Sequence, residues 1–132
     1  MKPMHIGHIV CSALALSLLL TSVANAQEGR RRRGFTEQTG EAIYKNVCQG
    51  CHMPDAQGAV GAGKYPALAK DPNLQVAGYP VAVVVNGQKA MPAFGGMMND
   101  QQIANVINYV RTHFGNDYKD KVTPAEVKAA RP

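Results

Sequence analysis

Residues 48 to 52 read Cys-Gln-Gly-Cys-His, and no other feature constrains this chain as strongly. C-x-x-C-H is the attachment motif of a c-type haem. Two intervening residues let both thiols reach the two vinyl groups of the porphyrin, and the next residue, His52, is then carried under the ring, where its imidazole can bind iron. The motif predicts one covalently bound haem c, with Cys48 and Cys51 as attachment points and His52 as an iron ligand.

Three other uses of these residues stay open from the spacing alone. A dithiol redox site also reads C-x-x-C, but it belongs at a helix start in a βαβ context, and no strand pattern precedes Cys48. A structural zinc site needs four ligands, which here would be Cys48, Cys51, His52 and His113. The third is a simple disulfide between the two cysteines. We favour haem attachment because a pattern typical of export accompanies the motif.

That export pattern occupies residues 1–26 and is typical of a secretory signal peptide. Lys2 gives a positive start, residues 9–20 are apolar, and Ala24-Asn25-Ala26 is a small-x-small cleavage site. The apolar run ends at Val23 and is shorter than the roughly 20 residues that a spanning helix needs. We therefore predict cleavage, a mature protein in the periplasm and no stable membrane span. A retained membrane anchor is the alternative.

Four consecutive arginines, Arg30, Arg31, Arg32 and Arg33, follow the proposed cleavage site. Positive charge on that side of an apolar segment hinders export, but the haem chemistry requires export and decides the question. We predict that residues 27–37 form a flexible basic arm, either simply solvated or steering the protein towards an acidic partner or anionic lipid. Nucleic-acid binding is not expected, because the charge is a short run rather than a stripe on a helix.

Residues 38–132 remain as the predicted haem domain. A domain of this size buries little more than about 60% of its unfolded surface and is marginally stable unless something supplements its core. Disulfides do not, because Cys11 leaves with the signal and Cys48 and Cys51 close only one tight loop. A bound group is therefore expected to fill the middle of the domain.

The second axial position of the iron has five candidates: Met53, Met91, Met97, Met98 and His113. Met53 adjoins His52 and cannot reach the opposite face, and the last three abut or lie within the next predicted helix. Met91 stands in a loop whose Pro92 and glycines suit close passage across a flat ring. We predict Met91 as the ligand, whose thioether would raise the reduction potential. Core packing is the alternative role for this side chain.

Local patterns predict helices at residues 39–47 and 99–115 and a short tail helix from Thr123. Asn99 and Gln102 form a capping box, and an apolar face recurs at helical spacing in Ile103, Val106, Ile107, Val110 and Phe114. Gly40 permits close helix approach. The glycine-rich residues 55–64 predict a loop without regular structure. Residues 80–85 have the β-branched content of a strand but the flanking Pro80 and Gly87 of a short helix.

Taken in order, several motifs resemble the class I cytochrome c family, which are small soluble electron carriers. They are Gly40 with Tyr44, the Cys48–His52 motif, Tyr65-Pro66-Ala67-Leu68, Val85-Asn86-Gly87, Met91-Pro92-Ala93-Phe94-Gly95 and Asn108-Tyr109-Val110. The resemblance implies an all-α fold of three to five short helices wrapped around one covalently bound haem, with the N- and C-terminal helices crossing. It also implies a helix at residues 80–85, a hydrogen bond from the ligating histidine to the Pro66 carbonyl, and packing of Leu68 on the haem.

The function implied by this resemblance is that of a periplasmic one-electron carrier with His52 and Met91 as axial ligands. Six-coordinate iron leaves no open position for a substrate, so we expect an electron-transfer protein and not an enzyme. Its partners would be a redox donor and an acceptor such as a terminal oxidase, docked transiently over a small interface. One alternative is a haem c subunit of a periplasmic dehydrogenase complex. A remoter one is a ligand-binding or peroxidatic haem protein with an open iron site.

Overall fold

The computed structural model describes residues 34–61 and 63–132. The predicted signal peptide, and residues 27–33 of the predicted basic arm, lie outside the described residues. Within that arm, residues 34–37 form neither helix nor strand, and the Gln102 side chain donates to the carbonyl oxygens of Phe35 at 2.7 Å and Glu37 at 2.8 Å. None of the helices in the described part is both long enough and apolar enough to cross a bilayer.

The described chain is mostly helical, as the sequence predicts. Its elements in chain order are α1 (Gly40–Ile43), a π-helix (Tyr44–Cys48), α2 (Gln49–His52), β1 (Ala59–Val60), β2 (Lys64–Tyr65), a 3-10 helix (Pro72–Gln75), α3 (Gly78–Asn86), α4 (Asp100–Thr112) and α5 (Pro124–Ala129). The fold is thus not strictly all-α, because β1 and β2 pair as an antiparallel hairpin.

That hairpin corrects the prediction of an irregular loop over residues 55–64. The glycines of this segment predicted a loop, but in the structure a glycine permits the two strands to pair closely. Gly58 has a φ of 68°, and a β-carbon there would lie 2.2 Å from the Tyr65 carbonyl oxygen. The Gly61 amide donates to the Gly63 carbonyl at 2.9 Å and closes the turn. A side chain at Gly58 would therefore push the two strands apart, whereas Gly61 and Gly63 have open space around them.

The first helical stretch begins where it was predicted to begin but runs further. The Thr39 hydroxyl accepts a hydrogen bond from the Ala42 amide at 3.2 Å and caps α1. The helix was predicted to end at Val47, yet it continues through the π-helix and α2 to His52. Met53, with a φ of 66°, terminates it. The cysteine motif is therefore helical, and Gly50 within it does not end the helix.

Helix α3 settles the ambiguity of residues 80–85 in favour of a helix, which starts two residues before Pro80. Gly87 ends it with a φ of 75° and donates its amide to the Val83 carbonyl. A β-carbon at Gly87 would lie 2.8 Å from the carbonyl oxygen of Met91, so the chain folds back tightly at this point.

Helices α4 and α5 begin with the predicted caps. Asn99 with Gln102 and Thr123 with Glu126 each form a complete capping box. The predicted apolar face of α4 is buried at Ile103, Val106, Ile107 and Val110. Helix α4 stops at Thr112 rather than near Gly115, because His113 is extended and Phe114 has a φ of 59°.

Arg111 is a core residue that the sequence patterns did not reveal. Its side chain is fully buried at 0% exposure. The guanidinium donates to the carbonyl oxygens of Leu74, Gln75 and Asp120 and to the Asp120 carboxylate. It thereby ties α4 to the 3-10 helix and to the segment that leads into α5.

Candidate haem-binding site

The cysteine motif occupies one face of the helical stretch from Gly40 to His52. Cys48 is the last residue of the π-helix, and Cys51 and His52 lie in α2. Residues three and four apart are neighbours on a helix surface, so both Cys51 and His52 lie beside Cys48. Cys51 is exposed, Cys48 is half-buried and the side chain of His52 is buried. The fold thus brings together the three groups that the motif predicts to act together.

One ring nitrogen of His52 is held by the backbone. Nδ1 lies 3.0 Å from the carbonyl oxygen of Pro66. A carbonyl oxygen only accepts, so Nδ1 carries a proton, and in the neutral imidazole the lone pair is then on Nε2. Histidines that bind metals characteristically donate their other ring N–H to a carbonyl or carboxylate, which fixes the tautomer and the ring orientation. The contact between His52 and Pro66 has the geometry of an imidazole that binds a metal through Nε2.

The segment that supplies the Pro66 carbonyl is itself fixed. The amides of Leu68 and Ala69 both donate to the Ala56 carbonyl, at 2.8 and 3.0 Å. The Leu68 carbonyl accepts from Nδ2 of Asn116 at 2.8 Å, and Leu68 packs against the core. Asn116 is buried and was missed from the sequence, where only its place just after the predicted helix-ending Gly115 marks it.

Burial raises the pKa of the Cys48 thiol to about 12, and the neighbouring Cys51 adds to the shift. Reactive dithiol motifs depend on the opposite effect, a thiol whose pKa is lowered so that a thiolate is available. No disulfide joins Cys48 to Cys51 in the described residues. The dithiol redox alternative therefore loses support.

Met91 lies in the loop between α3 and α4 and is half-buried. Its backbone pairs with Gln88 through two hydrogen bonds of 3.0 Å each. Further along the loop, the amides of Phe94 and Gly95 donate to the carbonyls of Val84 and Val85, at 2.9 and 3.1 Å. The loop is thus anchored to the end of α3. Within the described residues, no hydrogen bond joins it directly to the motif helix.

The rival candidates for the second axial position are in different surroundings. Met98 is buried in the core, whereas Met97 is 39% exposed. His113 stacks on Tyr109 with ring centroids 4.1 Å apart, and its Nδ1 lies 2.8 Å from the Tyr109 carbonyl oxygen. His113 is thus engaged at the end of α4. Across residues 34–61 and 63–132, no three His, Cys, Asp or Glu side chains form a group that could hold a metal ion.

These residues fit a covalently attached haem. Two thiols one turn apart lie on one helix face, an imidazole beside them presents Nε2, and a thioether stands in an anchored loop. The hairpin that precedes Pro66 exposes two large apolar side chains, Val60 at 84% and Tyr65.

Residues 36–110 match the protein family described as cytochrome C oxidase, cbb3-type, subunit III. Among curated proteins, the chain is 32% identical to the gluconate 2-dehydrogenase cytochrome c subunit of Pantoea cypripedii, over 75% of this chain and 25% of that protein. It is 37% identical to the fructose dehydrogenase cytochrome subunit of Gluconobacter japonicus, over 72% of this chain and 23% of that protein. It is also 33% identical to cytochrome c6 of Picosynechococcus sp., over 80% of this chain and 94% of that protein.

The relatives differ in how much of their own length this chain spans. It spans about a quarter of the two dehydrogenase subunits and nearly all of the cytochrome c6. All three are matched over at least 72% of this chain. The similarity therefore concerns the region that contains the cysteine motif and its supporting helices.

Proposed function

Because this chain belongs to the cytochrome c family and binds haem c covalently, we propose that it carries single electrons between redox proteins outside the cytoplasm. We assign Cys48 and Cys51 as the points of attachment and His52 and Met91 as the axial ligands. Pro66 and Leu68 complete the assigned site. When bound, the haem supplies a reversible Fe(II)/Fe(III) couple. Electron transfer, and not the conversion of a substrate, is the activity of the chain.

The hydrogen bond between His52 and Pro66 is the observation that carries this assignment. It holds the imidazole in one tautomer and one orientation, with Nε2 as the available donor atom. Asn116 and Ala56 in turn hold the Pro66–Leu68 segment. The protein thus holds the His52 imidazole in position before any electron arrives. Little of the protein then has to rearrange when the charge of the iron changes.

The Met91 loop supplies the second part of the proposal. A thioether is a soft ligand that favours the reduced state and so raises the reduction potential. If His52 and Met91 both bind the iron, they would leave no open site for a small ligand. The paired Gln88–Met91 backbone and the anchors at Phe94 and Gly95 keep the loop in place.

We further propose export by a signal peptide over residues 1–26 and a basic arm over residues 27–37 that steers docking. Steering by exposed charge weakens as salt screens it, over a Debye length of about 8 Å at physiological ionic strength. Partners of a carrier dock weakly and over a small interface, so that each exchange is followed by release.

A second candidate function is that of an electron-accepting subunit in a dehydrogenase complex. The names of two of the relatives favour it, since both are cytochrome subunits of dehydrogenases. This function uses the same haem site and differs in whether a catalytic partner stays bound. A third candidate, a ligand-binding or peroxidatic protein, needs an open iron position.

The test is to express the full chain in cells that attach haem c and to record the absorption spectrum, intact mass and carbon monoxide binding of the purified protein. We expect one haem per chain, a weak far-red band of methionine bound to ferric iron, and no carbon monoxide binding to the reduced protein at neutral pH. A colourless protein of unmodified mass would overturn the proposal. Carbon monoxide binding would favour the third candidate.

The first two candidate functions can be distinguished by size-exclusion chromatography. The protein is purified for this from its native host, at its natural abundance. A free carrier elutes as a small monomer, and its reduction by a partner slows as salt rises. A subunit elutes in a large assembly that also contains a dehydrogenase polypeptide.

A further inference from the structure

Arg131 joins three separate points around the end of the Met91 loop. Its guanidinium donates from Nη1 to the Gly95 carbonyl and from Nη2 to the Met98 carbonyl at 3.0 Å. Nε donates to the Asp100 carboxylate at 2.6 Å. The side chains of Arg131 and Asp100 are both about three-quarters buried, so this ion pair is partly protected from solvent.

The three acceptors lie between the second half of the Met91 loop and the start of α4, whereas Arg131 comes from the end of the chain beyond α5. Gly95 lies in the loop that contains Met91, Met98 ends that loop in the core, and Asp100 is the first residue of α4. Gly95 is also held from its other side, because its amide donates to the Val85 carbonyl at 3.1 Å. Gly95 is thus fixed between α3 and Arg131.

Only arginine has the geometry for this arrangement. Its planar guanidinium offers five N–H donors in a rigid fork, whereas a lysine ammonium is a single point charge on a flexible stem. Hydrogen bonds from a charged donor are also stronger than those between neutral groups. Without the guanidinium, the Gly95 and Met98 carbonyls lose a donor, and the Asp100 carboxylate loses its counter-charge.

We propose that Arg131 is a positioning residue for the axial thioether: its clamp on Gly95, Met98 and Asp100 keeps the Met91 loop closed over the haem iron. The inference rests on the proposed function, since it assumes that Met91 is the ligand. Loop opening exposes the iron to competing ligands. Arg131 therefore sets how readily an added ligand displaces Met91.

The experiment measures the affinity of the ferric, haem-loaded protein for added imidazole, which binds only when Met91 leaves. Arg131→Met keeps the length of the stem and removes the guanidinium. We expect this variant to bind imidazole about tenfold more tightly, which corresponds to about 1.4 kcal/mol. Arg131→Lys keeps the charge but not the fork, and we expect an intermediate affinity. Without added imidazole, the far-red band should be weaker in Arg131→Lys than in the wild type, and weakest in Arg131→Met.

Lys128→Met is the matched control, because it removes one positive charge from an exposed position on α5. We expect its imidazole affinity to equal that of the wild type. Wild-type affinity in Arg131→Met, or the same increase in Lys128→Met, would overturn the inference even if Arg131→Met were less stable to heat. A wild-type protein without the far-red band would instead overturn the Met91 assignment and this inference with it.

Discussion

Gly40 and Tyr109 meet where the helix of the cysteine motif packs against α4, with the Gly40 backbone directly against Cβ of Tyr109. A β-carbon on Gly40 would lie 2.6 Å from Cβ of Tyr109 and 2.2 Å from the carbonyl oxygen of Asn105. Real side chains do not approach backbone atoms so closely. The packing of these two helices therefore depends on the absence of a side chain at residue 40.

Replacing Gly40 with alanine should lower the free energy of unfolding by about 1–3 kcal/mol, the usual cost of overpacking a fixed contact. Denaturant titration of the haem-loaded protein measures the change. Gly78→Ala is the control, because Gly78 is also helical and nothing lies within 4 Å of its hypothetical β-carbon. The control should be neutral or slightly stabilising. Equal effects in the two variants would contradict the close approach.

The buried Arg111 should be among the most sensitive positions for stability. Arg111→Met leaves the carbonyls of Leu74 and Asp120 without their donor, and we expect a loss of about 3 kcal/mol in the free energy of unfolding. Asp120→Asn keeps an acceptor and changes an exposed side chain, so its effect should be small. Thermal and chemical unfolding of both variants check this. A small loss of stability in Arg111→Met would mean that water molecules replace the guanidinium as donors to these carbonyls.

Tyr44 should make stability depend on pH in the alkaline range. Burial raises its pKa from 10.0 to about 12, and Asp55 and Tyr109 add smaller contributions that do not depend on the Cys48 thiol. Between these values the unfolded chain has lost the phenol proton while the folded chain keeps it, so stability falls as pH rises from about 10 to 12 and is unaffected by this group below pH 10. Unfolding of the haem-loaded protein should be measured at several pH values across this range.

Tyr44→Phe is the comparison for that measurement. It removes the titrating hydroxyl and its 2.7 Å hydrogen bond to the Met53 carbonyl, so it should be less stable than the wild type at neutral pH. Between about pH 10 and 12 its stability should fall less steeply than that of the wild type. Parallel curves would show that the phenol does not titrate with a raised pKa.

Met91→Ala tests the axial assignment directly. Loss of the thioether should abolish the far-red band, lower the reduction potential and let the reduced protein bind carbon monoxide. Met97→Ala is the control, since Met97 lies in the same connection between α3 and α4 but is 39% exposed. It should keep all three properties of the wild type. An unchanged spectrum in Met91→Ala would move the assignment to another residue.

Features that depend on a few neighbouring residues were predictable. Asn99 with Gln102, and Thr123 with Glu126, cap their helices as expected, because a capping box is complete within four residues. The buried face of α4 follows from the spacing of its apolar residues. The continuation of the first helix through the π-helix to His52 was not predictable, because the local pattern says nothing about where Met53 turns the chain.

The hairpin of β1 and β2 is a feature that local sequence did not predict. Glycines favour many conformations equally, so composition alone predicted a loop, whereas the pairing of Ala59 with Tyr65 selects one of them. Asn116 and Arg131 were missed for a related reason. Each is an ordinary polar residue in the sequence, and the carbonyls of Leu68, Gly95 and Met98 that these side chains bind lie at least 33 residues away along the chain.

The sequence by itself determined the chemistry, which is two thiols and an imidazole at a spacing that suits a haem. It also determined the helix caps and apolar faces, because these depend on residues that are close together in the chain. The tertiary structure decided the support for that chemistry. It placed the Asn116 amide against the Leu68 carbonyl and the Arg131 guanidinium against the Gly95 carbonyl, whereas the contact of His52 with Pro66 was already expected from the family resemblance. Reactive groups are properties of residue types, whereas the hydrogen bonds that orient them join distant segments and exist only once the chain has folded.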